Sequence, residues 1–312
     1  MTNPEKAFLG GQLLQHNSLL QRKLRHLAPT VAILSIAAAG LTLVCTKPVL
    51  AEFEIQEAEI DKGEIEIEYR GAYHWGVPRV TVTNENANDL VQSNELELEM
   101  GITNWWMISV TSGFDKALGE NLQATALEVE TQFGLVRREG NGLGLAFQMG
   151  FSQALNHGVQ VDGEPNEFAF GPIVELARGP LLLTLNPLFG KQIGTFADQE
   201  GLGFDYGWRG EYDVNKRWAL AVEMFGEIED LANAGSFNDQ VHSIGPTLIL
   251  NFGGEENESS NDKGGKAKVG GDEDEKASEP APMAVSMNVG VQFGLTNATS
   301  DTALKFQGSL AF

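Results

Sequence analysis

The last stretch of the chain, TALKFQGSLAF, alternates with period two. One set holds Phe312, Leu310, Gly308, Phe306 and Leu304, and the other Ala311, Ser309, Gln307, Lys305 and Ala303. That period belongs to a strand with one apolar and one wet face. The pattern recurs upstream. EIEIEYRGAYHW sets Ile65, Ile67, Tyr69, Tyr73 and Trp75 against Glu64, Glu66, Glu68, Arg70 and His74. NELELEMGI sets Leu96, Leu98, Met100 and Ile102 against Glu95, Glu97 and Glu99. Further segments fall at 106–114, 124–136, 143–154, 166–177, 180–190, 202–213, 217–229, 240–252, 284–295 and 302–312. Together they predict roughly twelve strands, each near the length a tilted strand needs to cross a bilayer.

The connections alternate too. TNW, RREGNG, RG and VNK are short, whereas NHGVQVDGEPN and GEIEDLANAGSFND are longer. Short turns on one rim and longer loops on the other belong to a transmembrane barrel. Aromatic residues fall at the strand ends. Trp106, Tyr212, Trp218, Phe252 and Phe312 lie toward one rim, and Tyr73, Trp75, Phe114, Phe151, Phe168, Phe189, Phe204 and Phe293 toward the other. Two such belts around aliphatic middles suit a lipid-facing surface, since these rings prefer the membrane interface. A soluble sandwich would place them mid-strand, in its core. The fold class expected is therefore all-β, a transmembrane antiparallel β-barrel. Pro172, Pro187 and Pro246 sit inside predicted strands. A closed barrel has no free edge to accept a missing donor, so bulges or strand ends are expected there.

The N-terminus changes the compartment. Arg22, Lys23 and Arg25 precede an apolar run from Val31 to Val44, and Val49 and Ala51 have the spacing of a small-residue cleavage site. This reads as a secretory signal cut after Ala51, with the mature chain starting at Glu52. Cys45, the one cysteine, would leave with it, and Val44 just before it argues against lipidation. The acidic EFEIQEAEIDKG that follows is expected to be a short periplasmic lead-in. Residues 253–282 are polar, glycine-rich and charged, and are expected to form a disordered insertion on the periplasmic side. DEDEKASE within it lacks the ligand spacing of an EF-hand.

Across the 312 residues the formal net charge is -22, which leaves no basic face for nucleic acid. No motif calls for a cofactor, and no His or Cys cluster marks a transition-metal site. GNGLGLAFQMG has the glycines of a phosphate loop without its lysine, and leads into a strand. His242 and Ser243 are adjacent on a strand, so they point to opposite faces and cannot pair as base and nucleophile. His74 and His157 have no serine two positions away. An enzyme is not expected.

LKFQGSLAF resembles the last strand of Gram-negative outer-membrane β-barrels, which alternates and ends on an aromatic residue. The resemblance implies insertion into the outer membrane by the barrel assembly machinery, with Phe312, Leu310 and Phe306 as the assembly signal. AFGPIVEL and SIGPTLIL further resemble transporter-like barrels grouped under a phenol-degradation meta pathway.

Strand parity turns an acidic set inward: Glu64, Glu66, Glu68, Glu95, Glu97, Glu99, Glu128, Glu130, Glu175, Asp205, Glu211, Glu223 and Glu227. Opposing them are Arg70, Arg209 and Lys305. The expected function is a channel for passive diffusion of small solutes. Its selectivity is expected to rest on the inward glutamates of β-segments one, two and four, with Arg70 and Arg209 as counter-charges. These positions are expected to face water, some held by the arginines or protonated. The expected partners are outer-membrane lipid, the assembly machinery and small solutes, cations among them. A closed structural or adhesive barrel and an outer-membrane lipid hydrolase are the alternatives.

Overall fold

The computed structural model describes residues 53–76, 90–155, 165–194, 197, 201–253 and 283–312. Twelve antiparallel strands close into one barrel: β1 Ile65–Trp75, β2 Leu90–Thr103, β3 Trp106–Ala117, β4 Gln123–Val136, β5 Gly142–Ala154, β6 Asn166–Arg178, β7 Leu181–Ile193, β8 Gly203–Asn215, β9 Trp218–Ile228, β10 Val241–Gly253, β11 Ala284–Gly294 and β12 Thr302–Ala311. Every strand pairs with its sequence neighbours, and β1 closes the ring against β12 in the register Glu66 opposite Ala311 to Trp75 opposite Thr302. Ile65 and Phe312 exchange two further backbone hydrogen bonds of 3.0 Å at the rim. The start of β1 and the end of β12 therefore share one rim, the chain-end rim. Gly253, the first residue of the expected insertion, is the last residue of β10 and pairs there with Ala284. The leader and residues 254–282 lie outside the described residues.

Strand alternation is realised as polar inside and apolar outside. Ser109, Thr111, Gln132, Gln148, Thr184, Thr247 and Gln292 are buried, whereas Leu96, Leu143, Leu176, Leu220 and Val289 are exposed. A soluble protein reverses this order; the inversion fits a wall with lipid outside. On the rim away from the chain ends, Phe168, Phe170, Phe189, Phe204, Tyr206 and His242 form a chain of ring contacts 5.1 to 6.1 Å apart. Tyr212, Trp218, Phe252 and Phe312 are exposed toward the other rim.

The prolines are accommodated without bulges or strand ends. Pro172 pairs with Phe147, Pro187 with Tyr206 and Pro246 with Val222, each in unbroken register. On the opposite side of each proline the ladder opens: β6 and β7 pair at Phe170–Phe189 and resume at Val174–Leu185, and β10 and β11 skip from Ile244–Phe293 to Thr247–Gly290. A strand that lacks one donor thus gives up pairing on one side only. The glycine before Pro172 and before Pro246 serves the same place. A Cβ on Gly171 would collide with the Pro187 carbonyl, and one on Gly245 with the Val291 carbonyl. The Gly-Pro pairs of AFGPIVEL and SIGPTLIL are therefore matched structural devices.

The acidic lead-in is not outside the barrel. Residues 53–63 run up its interior. Gly63 donates to the Gly101 carbonyl at 2.7 Å near the chain-end rim. Farther in, Ala58 N–H donates to Glu175 Oε1 (2.9 Å), and Gln56 exchanges backbone hydrogen bonds with the Asn186 side chain (2.7 and 3.0 Å). Gln132 donates to the Glu57 carbonyl (2.9 Å) and Lys305 to that of Phe53 (3.0 Å). Ile55, Ala58 and Ile60 are buried, Ala58 against Ala146 and Ile173. The Phe53 ring stacks 5.9 Å from His74 and meets Phe225 edge-on at 5.3 Å. A backbone that finds hydrogen-bond partners on so many strands is held as part of the core rather than as a tail.

Candidate functional site: the acidic lumen

The inner wall carries two charge clusters. In the first, Arg70 on β1 is nearly buried. Its Nη1 lies 2.7 Å from Glu68 Oε1, 2.7 Å from Glu97 Oε2 and 2.9 Å from Glu54 Oε1, and its Nε donates to Glu95. Cross-strand pairing dictates this: Arg70 stands opposite Glu95, and Glu68 opposite Glu97. Like charges face to face destabilise a sheet unless a cation intervenes, and the guanidinium intervenes. The fourth carboxylate, Glu54, comes from the interior segment. Burial pushes its carboxyl well above the usual range. Arg70 opposes that shift, while Glu97, Glu130 and Glu68 add to it.

The second cluster centres on Glu223 of β9, whose side chain is fully buried. Arg209 Nε donates to its Oε1 (2.9 Å), and Lys305 Nζ (2.6 Å) and Thr247 Oγ1 (2.6 Å) donate to its Oε2. Lys305 also stands 5.0 Å from the Phe225 ring centroid. A third, smaller contact joins Arg138, in the β4–β5 turn, to Glu175 at 2.8 Å.

The residues expected to line the lumen are thus sorted. Glu68, Glu95, Glu97, Arg70 and Arg209 are buried in ion pairs and do not face open water. Glu66, Glu99, Glu128 and Glu130 are half-buried or exposed on the inner face, on the same parity as those buried partners. Glu64 stands exposed at the rim, just ahead of β1, rather than on the lumen wall. Glu54, in a segment expected to lie in the periplasm, joins the lumen cluster through Arg70. Glu167 was overlooked although parity places it beside inward Ala169 on β6, where it is buried. Phe312, Leu310 and Phe306 lie at β12 and its end, with Leu310 and Phe312 exposed outward.

His242 and Ser243 do point apart. The imidazole is covered on the outer side, its Nδ1 2.9 Å from Tyr206 Oη, its Nε2 3.0 Å from Gln240 Oε1, and its ring stacked on Phe237. Ser243 shares the inward parity of Thr247.

The COG4313 outer membrane channel from Pseudomonas putida F1 aligns at TM-score 0.50 and 11% identity, over 85% of this chain and 100% of that one. The chain has the fold of an outer-membrane β-barrel. The NanC porin (TM-score 0.46, 10% identity, 79% of this chain and 98% of that one) and LpxR from Salmonella typhimurium (0.39, 10%, 79% and 99%) are looser matches. No family model and no curated relative matches the sequence. The barrel is thus similar in architecture to an outer-membrane channel, and its residues alone must carry any argument about what passes.

Proposed function

We propose that the barrel is an outer-membrane channel for small solutes, with a lumen that favours cations and is narrowed by its own residues 53–63. The observation that carries this is the sign of the inner wall. Beyond the carboxylates paired with Arg70, Arg209 and Lys305, the inner face adds Glu66, Glu99, Glu128, Glu130, Glu167 and Asp205. Fixed negative charge in a low-dielectric tube concentrates cations and repels anions. Partners follow from this reading: lipid outside, the assembly machinery at insertion, and small cations as solutes. Secretion with cleavage after Ala51 belongs to the same proposal.

The interior segment favours a second reading, a closed barrel without transport, since its apolar residues pack like a small core. Planar-bilayer recording separates the two. A channel gives unitary currents whose reversal potential in a salt gradient reports cation preference, weakening as salt shortens the screening length. Glu66→Gln with Glu99→Gln removes wall charge without touching the Arg70 ion pairs, and should move the reversal potential toward zero. Absence of current, both in the native chain and after deletion of residues 53–60, would establish the closed reading.

A further inference from the structure

Residues 53–60 belong to no strand or helix, and among the described residues they make no hydrogen bond to another backbone group. Their main chain is held instead by side chains of the wall. Asn186 of β7 accepts from the Gln56 N–H (2.7 Å) and donates to the Gln56 carbonyl (3.0 Å), so one amide side chain takes both main-chain groups of one residue. Glu175 of β6 accepts from the Ala58 N–H (2.9 Å). Gln132 of β4 donates to the Glu57 carbonyl (2.9 Å), Lys305 of β12 to that of Phe53 (3.0 Å) and Arg137, just past β4, to that of Ile60 (3.4 Å).

Side-chain contacts accompany these bonds. Glu54 meets Arg70 at 2.9 Å and Glu57 lies 3.8 Å from Arg209. Ala58 is buried against Ala146 and Ile173, and Phe53 lies against His74 and Phe225. All three inward cations, Arg70, Arg209 and Lys305, therefore touch the segment. The wall around them is acidic, and its field repels an acidic chain, so a segment carrying Glu54, Glu57 and Glu59 stays there through specific contacts and not through general attraction. Main-chain hydrogen bonds that are blind to sequence, combined with places for chosen side chains, are the division of labour by which proteins bind linear peptides.

We propose that the inner wall is a peptide-binding track, occupied by the chain's own residues 53–60, and that a separate linear oligopeptide takes the same track when the segment leaves it. The ligand class is a peptide with an acidic residue followed four positions on by a small one, as Glu54 is by Ala58. Arg70 takes the carboxylate, Ala146 and Ile173 the small side chain, and Asn186 the main-chain amide between them. The resident segment competes from its tether at β1, where a short flexible link gives an effective concentration on the order of millimolar. Binding requires no current, so the proposal goes beyond the channel reading and does not rest on it.

The test reads the anisotropy of a fluorescent synthetic peptide, FEIQEAEI, titrated into the folded mature chain in detergent and into the same chain lacking residues 53–60. Saturable one-to-one binding is expected on the shortened chain, and at least ~10-fold weaker binding on the full chain, where the tethered segment competes. On the shortened chain a peptide carrying Glu54→Gln should bind at least ~10-fold more weakly, because a charge-assisted bond to Arg70 is lost. N-methylation of the Gln56 nitrogen should weaken binding at least ~3-fold by removing the donor to Asn186. Ala58→Phe in the peptide should abolish binding by overfilling its place. If the shortened chain fails to fold, the full chain is folded with a specific-protease site inserted after the exposed Lys62 and then cut, and excess labelled peptide should replace the released segment. The proposal is overturned if the folded shortened chain, or the cut chain in its place, takes up no labelled peptide. It is equally overturned if the native peptide and the three altered ones are held alike.

Discussion

Glu223 offers a quantitative test of how the wall is held together. Its carboxylate is 0% exposed and is shared by Arg209 and Lys305. Lys305→Met removes one charge-assisted hydrogen bond to Glu223 and one bond to the Phe53 carbonyl. Arg209→Met removes the other cation's bond to Glu223, and the Thr247 hydroxyl still donates in each of these variants. A hydrogen bond to a charged group contributes ~1.5–3 kcal/mol net, so each single variant should lose about that much. In each single variant one cation still neutralises Glu223. In the double variant none does, and a buried charge stripped of its counter-charges costs ~3–5 kcal/mol. The double variant should therefore lose more than the sum of the singles, with a coupling of ~0.5–3 kcal/mol. Adding Glu223→Leu to the double variant should recover much of the loss, because a buried apolar group replaces an uncompensated carboxylate. Urea unfolding of the barrel in lipid vesicles, followed by tryptophan fluorescence and checked for reversibility, yields all four free energies. Strict additivity would refute the argument, since it would mean that Glu223 reaches water and the two cations act separately.

Deleting Phe312 should lower the fraction of heat-modifiable, folded protein in the outer-membrane fraction. The deletion removes the two rim hydrogen bonds with Ile65, each worth ~0.5–1.5 kcal/mol, as well as the terminal aromatic. Gly171→Ala and Gly245→Ala should each cost ~1–3 kcal/mol by overpacking, read from the shift in urea midpoint, because the new methyl meets a facing carbonyl. Deleting residues 254–282 should leave the urea midpoint unchanged; a lost midpoint would place that segment in the packed structure. Acidification from neutral pH should tighten docking of residues 53–63. Glu54 has a raised folded-state pKa, so the docked state binds the proton more strongly and the penalty of its charge fades as pH falls through that range. Arg70 and Glu68 of β1, Glu97 of β2 and Glu130 of β4 face it throughout. Protease cleavage at residues 53–63 should slow as pH drops, and faster cleavage would reverse the sign.

Strand existence and facing were legible because the period-two signal is local. The 124–136 and 143–154 segments fall within a residue of β4 and β5, and inward glutamates such as Glu97, Glu175 and Glu223 are where parity put them. The prolines were misread because a ladder can open on one side while holding register on the other, and only a neighbouring strand reveals that. The interior segment was missed for a related reason. In EFEIQEAEI the apolar Phe53, Ile55, Ala58 and Ile60 are too few to look like a core, and their partners, Gly207, Ala146, Ile173 and His74, are scattered along the chain. Glu54, one of the acidic residues that suggested solvent, is drawn inward by Arg70, a pairing invisible until β1 and the segment share one interior.

Ring closure by the first and last strands also constrains time. The β1–β12 ladder joins residues more than 220 positions apart in the sequence, so loop-closure entropy opposes it more than any neighbouring hairpin. Until β12 is added, β1 presents an unpaired edge, and residues 53–63 lie beside an open sheet with the wall residues they will contact, Lys305 of β12 excepted, within lateral reach. Once the seam has formed, the same segment could enter only lengthwise, dragging Glu54, Glu57 and Glu59 past the rim. Lateral docking before closure is the cheaper route, which makes the segment a template around which the sheet curls. A chain supplied without it should therefore close more slowly, even where its finished barrel is equally stable.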